Sequence, residues 1–313
     1  MTFDTVSNTN MATYYSTVIV FGPTGEVGGA TALEASRRGA KVWLAMRDPA
    51  KPIDGITKEQ EQQGSFSRIQ ADLSDAESVK TAVRQSGAKA AFTYYRPLLS
   101  PPVQAMKDAG IEYVVFLSSF SVSPGQDIRE IPQSEFIPYG HAQIEIALED
   151  ASIDHTALRP GHFASNGVRK DLDKSSNPYK ARIGPPDVIS DCISPGDIGR
   201  VAGAVLVNRP SSSPKEVIYL AGPRLITTDE QWSITKKLSS REIEVITHSP
   251  EEYTQCLIDG GLPPPAAKYL VKIMERTNIA YPEPLHQEWV ANIKKYSGYE
   301  PTAFEDYVKS LDL

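Results

Sequence analysis

The segment that decides the fold is STVIVFGPTGEVGGATALEASRR, residues 16–38. Its first part, 16–22, is a run of β-branched and aromatic residues that ends in glycine, which predicts a short buried strand. Its second part, Glu26–Arg38, has the composition of a helix, and Gly39 follows as a stop signal. The segment therefore predicts a strand, a glycine-rich turn and a helix in that order.

The same alternation continues through the first half of the chain. Strands are predicted at 41–46, 66–70, 89–95, 113–119 and 154–160, and helices at 76–85, 102–110 and 141–151. The run YVVFLSS at 113–119 is almost continuously apolar, as a parallel strand buried on both faces must be. Alternating strands and helices with right-handed connections predict an α/β fold, a doubly wound parallel sheet of the Rossmann type.

After Pro160 the pattern becomes less regular. The stretch 166–187 is rich in Asn, Lys, Pro and Gly, and we expect it to form a loop over a site. Helices are predicted at 197–208 and from Thr228, strands at 217–222 and 242–247, and mostly helices thereafter. The predicted organisation is a flexible tail at 1–15, a Rossmann domain at 16–160 and, at 161–313, a smaller, partly helical substrate lobe interleaved with the end of the sheet.

The composition restricts the class of partner. The chain has 313 residues, of which 40% are hydrophobic and 23% charged, as in an ordinary globular protein. The net charge is −7 and lysine and arginine do not cluster, which argues against nucleic acid as a partner. No apolar run approaches the roughly 18 residues of a membrane span. A small molecule is therefore the expected partner, and a homo-oligomer is compatible with the sequence.

The N-terminus and the cysteines bear on location and metal binding. The first fifteen residues lack the apolar run and small-residue cleavage site of a secretion signal. Cys192 and Cys256 lie far apart without CxxC spacing, which supports neither a disulfide framework nor a zinc site. We therefore expect a cytoplasmic protein without a metal.

The glycines of the first turn point to a dinucleotide. Gly22, Gly25 and Gly28 form GxxGxxG between the first strand and helix, where glycine lets the chain turn tightly and lets backbone N–H groups approach a pyrophosphate. The positive end of the helix dipole then lies at the anion. The predicted cofactor contacts in this loop are Gly22, Thr24, Gly25, Glu26, Val27 and Gly28.

The end of the second strand bears on the choice between NAD and NADP(H). NAD-preferring sites place an acid here against the ribose 2′-OH, whereas this chain has Arg47, whose guanidinium suits a 2′-phosphate. NADP(H) is therefore the predicted cofactor. The alternative is that Arg47 is a solvated surface residue, and the neighbouring Asp48 counts against a phosphate contact. Asp72 is expected to contact adenine, to cap the following helix or to form a turn, with Ser74 as the competing cap.

Seven motifs distributed over the chain resemble the NmrA-like group of atypical short-chain dehydrogenases/reductases. They are GPTGEVGG (22–29), AMRDP (45–49), ADLSD (71–75), FLSS (116–119), LRPGHFASN (158–166), DIG (197–199) and GYEPTAFEDYV (298–308). The resemblance implies NADP(H) at the carboxyl ends of the strands, with Pro160 and Gly161 among its contacts, and a substrate cleft between the lobes. The family is common in fungal secondary metabolism and also contains regulators that bind dinucleotide without known turnover.

The chain departs from the catalytic pattern of short-chain reductases. These enzymes use Ser, Tyr and Lys, with the last two spaced YxxxK, whereas this chain has Tyr139 and, in place of lysine, Gln143. A unit charge about 4 Å away at an effective dielectric constant of about 20 is worth roughly 4 kcal/mol. Gln143 can still hydrogen-bond the ribose but supplies no charge, so Tyr139 is expected to act as a neutral hydrogen-bond donor or as a weak acid.

Other polar and aromatic residues complete the candidate site. His141 is a further acid or base, although helical geometry turns it away from Tyr139. Ser119 and Ser121 stand where the family's serine polarises a carbonyl, or serve their own loop. The predicted substrate contacts at strand carboxyl ends are Tyr94, Tyr95, His162 and Phe163, each with packing as the alternative.

These residues support three hypotheses. The first is an NADPH-dependent reductase of a carbonyl, enone or imine in a small, largely apolar metabolite. The second is a non-redox cyclase or isomerase that retains NADP(H), for instance one that closes a ring between an amine and an aldehyde by Pictet–Spengler chemistry. The third is a regulator that senses the NADP/NADPH ratio.

Overall fold

A seven-stranded parallel sheet forms the centre of the molecule. The computed structural model describes residues 14–63, 65–95, 102–274, 281–311 and 313, apart from the side chain of Arg169. The strands are β1 (Thr17–Phe21), β2 (Lys41–Met46), β3 (Phe66–Gln70), β4 (Ala90–Tyr94), β5 (Tyr113–Leu117), β6 (Asp154–Pro160) and β10 (Lys215–Leu220). Their order is β10-β6-β5-β4-β1-β2-β3. The order reverses direction between β1 and β4, as in a Rossmann fold, and so confirms the predicted fold class.

Helices cover both faces of this sheet. The α-helices among the described residues are α1 (Glu26–Arg37), α2 (Lys58–Gln62), α3 (Ala76–Ser86), α4 (Val103–Ala109), α5 (Phe136–Asp150), α6 (Ser165–Lys170), α7 (Pro195–Val207), α8 (Thr228–Leu238), α9 (Pro250–Asp259), α10 (Pro264–Met274), α11 (Leu285–Ser297) and α12 (Phe304–Lys309). One core lies between the sheet and α1 and α7. A second core lies between the opposite face and α3, α4 and α5. Among the described residues, no helix combines the length and apolar character needed to cross a membrane.

Tyr15 packs in the core, although the predicted flexible tail includes it. Residues 1–13 lie outside the described part of the chain. Tyr15, however, is only 8% exposed, its ring stacks on Tyr113 with centroids 5.6 Å apart, and its N–H donates to Val207 O over 2.9 Å. The prediction of a flexible tail is therefore wrong for Tyr15, because its aromatic ring supplies apolar surface that the core buries.

The prediction of a loop at 166–187 is also wrong. This stretch contains α6, β7 (Leu172–Asp173) and β8 (Tyr179–Ile183), and β8 pairs with β7 and with β12 (Ile243–Thr247). Ala181 and Ile183 are buried, whereas the intervening Lys180 and Arg182 are partly exposed. The alternation of a strand is present, but in only five residues among turn-forming neighbours it is easily missed. Two further short strands, β9 (Ile189–Ser190) and β11 (Ile226–Thr227), pair with each other.

A carboxyl in this small sheet has an unusual environment. Asp171 follows α6 and accepts a hydrogen bond from the Tyr253 hydroxyl, 2.9 Å away. Burial raises the pKa of Asp171 to about 7. Since the ordinary pKa of an aspartate in an unfolded chain is about 3.9, the folded protein binds the extra proton between these values.

We expect the stability of Asp171→Asn relative to the wild type to increase as the pH rises from about 4 to about 8. A raised folded pKa means that stability falls as the pH rises from the unfolded toward the folded value, and asparagine cannot ionise. Melting temperatures of both proteins across this range measure the effect. Asp173→Asn is the control, because the Ser175 hydroxyl lowers the pKa of Asp173. Equal pH slopes for Asp171→Asn and wild type would contradict the prediction.

The carboxyl-terminal motif is attached to the Rossmann sheet through α7. Asp197, in the DIG motif, is fully buried. It accepts hydrogen bonds from the N–H and the hydroxyl of Thr302, over 2.8 and 2.9 Å, and pairs with Arg200. The DIG and TAFEDYV motifs therefore contact each other through Asp197 and Thr302.

Candidate dinucleotide site and substrate cleft

The turn after β1 has the backbone of a phosphate-binding loop. Gly22 adopts φ = 70°, a conformation that favours glycine, and the N–H of Gly25 donates to Gly22 O over 3.1 Å. A Cβ atom on Gly28 would lie 2.2 Å from Gly22 O, so α1 can approach β1 this closely only with glycine there. Gly25, by contrast, has its nearest contact at 3.5 Å. The conformation of the loop therefore requires glycine at positions 22 and 28. A side chain at position 25 would meet no close neighbour.

The amino-terminal end of α1 offers donors to an anion. Gly25 is the N-cap of this 12-residue helix, and no side chain caps it. The first N–H groups of a helix have no partner within the helix, and its dipole favours negative charge there. Of the other predicted contacts, Thr24 is exposed beside the loop, Glu26 accepts from the Tyr307 hydroxyl over 3.3 Å, and Val27 buries its side chain in the core. Val27 can therefore contribute only its backbone.

A pocket adjoins the loop on the side of β2 and β3. Arg47 lies in its wall, is exposed, and forms no ion pair with any described residue. The neighbouring Asp48 instead accepts from the N–H of Ala50, over 3.0 Å. An unpaired guanidinium at this position suits the 2′-phosphate of a dinucleotide. The pocket is lined by Phe21, Gly22, Thr24, Ala45, Met46, Arg47, Ala71, Asp72, Leu73, Ser74 and Tyr94.

The predicted helix cap at Asp72 or Ser74 is wrong, whereas the predicted turn at Asp72 is confirmed. Asp75 is the N-cap of α3 and accepts from the N–H groups of Glu77 and Ser78. Asp72 instead accepts from the N–H and the hydroxyl of Ser74, over 2.9 and 2.7 Å, and so closes its own turn. The Asp72 turn forms part of the pocket wall, and its contact with adenine stays a prediction.

On the other side of the order reversal, two aromatic side chains meet where β4 ends. The rings of Tyr95 and His141 are 4.7 Å apart, and the Tyr95 ring crosses Gly140 of α5. The Nδ1 atom of His141 is buried without a hydrogen-bond partner among the described residues. Burial lowers the pKa of His141 to about 3, with a smaller contribution from the positive charge of Arg159. Burial also raises the pKa of Tyr95, so both groups are neutral near pH 7.

The structure does not group Tyr139 and Gln143 with this pair. Residues 139 and 143 share one face of α5, and residue 141 lies about 200° around the helix from residue 143. Tyr139 packs against Val122, Ile128 and Ile131, and Gln143 is exposed. His141 is thus the residue of this motif that meets the end of β4, and the roles of Tyr139 and Gln143 stay predictions.

The serines after β5 serve their own loop. The hydroxyls of Ser119 and Ser121 are 2.8 Å apart, and Ser119 also accepts from the N–H of Ser121. Sequence reasoning missed Ser118, whose hydroxyl donates to Glu145 over 2.7 Å. Glu145 forms a buried, bidentate ion pair with Arg159. The opposite charges of Glu145 and Arg159, each flanked by apolar residues in α5 and β6, were the available signal.

The remaining predicted residues divide between cleft and core. Tyr94 lies against Gly22 in the nucleotide pocket rather than with Tyr95. Phe163 packs against the main core. Pro160 and Gly161 are buried where β6 ends, and the N–H of Gly161 donates to Leu220 O. His162 follows them, and burial lowers the pKa of its ring to about 4.

Comparison with known proteins agrees with this geometry. The model of the NmrA-like family matches residues 15–308. The chain belongs to the NmrA-like family. The nitrogen metabolite regulation-like protein bik4 of Gibberella fujikuroi is 41% identical, over 95% of this chain and 96% of that protein. A (4-alkanoyl-5-oxo-2,5-dihydrofuran-3-yl)methyl phosphate reductase of Streptomyces griseus is 25% identical, over 83% of this chain and 86% of the relative.

Solved structures of reductases share the fold of this NmrA-like chain. An NADPH-dependent quinone oxidoreductase of Escherichia coli, complexed with NADPH, superposes with a TM-score of 0.68 at 18% identity, over 94% of this chain and 99% of the other. The triphenylmethane reductase of a Citrobacter species, complexed with NADP(H), gives 0.65 at 18% identity, over 95% and 100%. At such identity the likeness shows the fold, which in these proteins binds a nicotinamide dinucleotide.

Proposed function

We propose that the protein is an NADPH-dependent reductase of a carbonyl, enone or imine in a small, largely apolar secondary metabolite. The proposal rests on two groups of residues that lie on opposite sides of the point between β1 and β4 at which the strand order reverses. The glycine loop and the unpaired Arg47 suit the phosphates, and the neutral pair Tyr95–His141 lies at the end of β4. The names of the reductase relative and of the structural neighbours support the same class.

Different residues of the chain would bind the cofactor and hydrogen-bond the substrate. The first N–H groups of α1 hold the pyrophosphate, and Arg47 pairs with the 2′-phosphate. NADPH, when bound, supplies a hydride. The hydroxyl of Tyr95 or an imidazole N–H of His141 hydrogen-bonds the substrate's oxygen or nitrogen, and water supplies the proton that completes the reduction. Both donors act from their neutral forms, since burial disfavours tyrosinate and imidazolium.

Transfer of deuterium from 4-deuterated NADPH tests the proposal. The purified protein is incubated with a panel of aldehydes, enones and imines, and products are analysed by mass spectrometry. We expect deuterium in the product, and we expect His141→Phe to lower turnover about tenfold or more while NADPH still binds. His248→Phe, a histidine between β12 and α9, is the matched control. Turnover in His141→Phe equal to that of wild type would contradict the role of His141.

The exposed Gln143 provides a separate test of the reductase pattern. If residue 143 completes the site as lysine does in short-chain reductases, Gln143→Lys should raise or preserve turnover near neutral pH. The position of Gln143 on the outer face of α5 instead predicts little change. A large gain in turnover would show that the Tyr139–Gln143 face forms the active site.

A second candidate function is a regulator that binds dinucleotide without turnover. It is favoured by the 41% identity to a relative whose name refers to nitrogen metabolite regulation. Tight NADPH binding without deuterium transfer to any substrate would support this alternative. A product that forms without deuterium or net NADPH consumption would instead support non-redox ring closure or isomerisation.

A further inference from the structure

Asp191 is a buried carboxyl that joins three distant segments of the chain. Its side chain is 1% exposed and forms no ion pair with a described residue. Oδ1 accepts from the N–H of His162 and from the hydroxyl of Tyr281, each over 2.6 Å. Oδ2 accepts from the N–H of Gly222 over 2.8 Å. Both oxygens are thus bound by donors that come from other parts of the molecule.

The carboxyl lies directly behind the loop that follows β6. A Cβ atom on Gly161 would be 2.3 Å from Oδ2 of Asp191, so the loop backbone rests on the carboxyl. The N–H of Gly161 in turn donates to Leu220 O at the end of β10, over 2.9 Å. A shift of Asp191 would therefore shift Gly161 and His162 with it.

Tyr281 extends this contact to the loop after β5. Its ring stacks on Phe120 with centroids 5.4 Å apart and an angle of 14° between the planes. The N–H of Phe120 donates to Pro160 O over 3.1 Å. One hydrogen-bonded and stacked set, made by Asp191, Tyr281 and Phe120, thus ties together the loops after β5 and β6.

The strand order assigns these two loops to one half of a dinucleotide. The pocket with Arg47 adjoins β2 and β3, on one side of the reversal. A dinucleotide that lies across the reversal extends its other half over the carboxyl ends of β4, β5 and β6. The loops held by Asp191 therefore belong to the nicotinamide half, and no residue of the Arg47 pocket shares these hydrogen bonds.

We propose that Asp191 and Tyr281 are positioning residues that hold the Pro160–His162 loop in place for the nicotinamide half of the bound dinucleotide. The inference rests on the dinucleotide site proposed above and adds two residues to it. Neither is required to touch the substrate. Their effect passes through the backbone of Gly161 and His162.

Two ligands separate this role from general stabilisation. NADPH contains the nicotinamide riboside, whereas 2′-phospho-ADP-ribose has the same adenosine phosphates without nicotinamide. Tyr281→Phe keeps the aromatic ring and removes the hydroxyl bonded to Asp191. We expect it to raise the Kd of NADPH about fivefold to tenfold and that of 2′-phospho-ADP-ribose less than about twofold, since one hydrogen bond to a charged group is lost.

The chain offers a matched control in Tyr253→Phe. Tyr253 donates its hydroxyl to Asp171, also a buried aspartate, but in the small sheet with β8 rather than behind the β6 loop. We expect this variant to bind both ligands like wild type. Isothermal calorimetry gives the affinities, and the shift in fluorescence emission of bound NADPH reports the nicotinamide environment independently. Asp191→Asn, which keeps the shape of the side chain, provides a second variant if Tyr281→Phe does not fold.

Each outcome decides one of the two proposals. Selective loss of NADPH affinity in Tyr281→Phe or Asp191→Asn supports the positioning role. Equal loss for both ligands, or no loss for either, overturns it and leaves the dinucleotide site intact. Failure of both ligands to bind the wild-type protein removes the dinucleotide site itself, and the positioning role with it.

Discussion

Gly25→Val is expected to abolish the binding of NADPH while the protein keeps its fold. Gly25 has φ = −87°, which valine adopts without strain, and a Cβ atom there meets only Gly22 O at 3.5 Å. The branched side chain would instead occupy the space beside the first N–H groups of α1, where a pyrophosphate binds. We expect a loss of affinity of about a hundredfold or more, measured by calorimetry, with an unchanged circular dichroism spectrum.

A glycine at the start of another helix provides the control. Gly196, near the start of α7, has its nearest Cβ contacts at 3.4 and 3.9 Å, and Gly196→Val should bind NADPH like wild type. Gly28→Ala should behave differently from both, because its Cβ atom would collide with backbone and disturb the fold itself. Undiminished NADPH binding by Gly25→Val would remove the assignment of residues 22–28 as a phosphate loop.

Arg47→Glu is expected to reverse the preference for NADPH over NADH. The guanidinium of Arg47 is exposed and unpaired among the described residues, so it can form charge-assisted hydrogen bonds with a 2′-phosphate. A glutamate would repel that phosphate and accept a hydrogen bond from a 2′-OH. We expect the ratio of the two dissociation constants to change by about a hundredfold or more, because attraction is replaced by repulsion.

Titration of both cofactors against wild type and variant measures this change. Asp48→Asn is a useful companion variant, since Asp48 bonds its own turn and should hardly alter the preference. A rise in ionic strength should weaken NADPH binding to wild type more than NADH binding, because the 2′-phosphate contact is electrostatic. Unchanged selectivity in Arg47→Glu would show that this arginine is only a surface residue.

Much of the nucleotide half of the site could be predicted because its signals are local. The strand, the glycine turn and the helix follow one another within residues 16–38, and each is recognisable from composition and spacing alone. The strands at 41–46, 66–70 and 154–160 coincide with their predicted bounds. Arg47 was predicted as a phosphate contact for the same reason, since the end of β2 has a fixed place relative to the loop.

The proposed catalytic half was harder to predict because it depends on the orientation of a helix. The YxxxK spacing directs attention to Tyr139 and Gln143, and sequence alone cannot say which face of α5 meets the sheet. The structure turns His141 and Glu145 inward, toward Tyr95 and Arg159. Because an α-helix turns by about 100° per residue, a different orientation of α5 would bring Tyr139 and Gln143 to the sheet in place of His141.

The sequence by itself determined the fold class, the family and the glycine turn after the first strand, since these follow from periodicity and backbone requirements over short stretches. Only the tertiary structure placed Tyr95 against His141 and gathered His162, Gly222 and Tyr281 around Asp191. Those three partners are 29, 31 and 90 residues from Asp191 along the chain. Hydrogen bonds over such separations form where packed elements converge, and they leave no periodic pattern in the sequence.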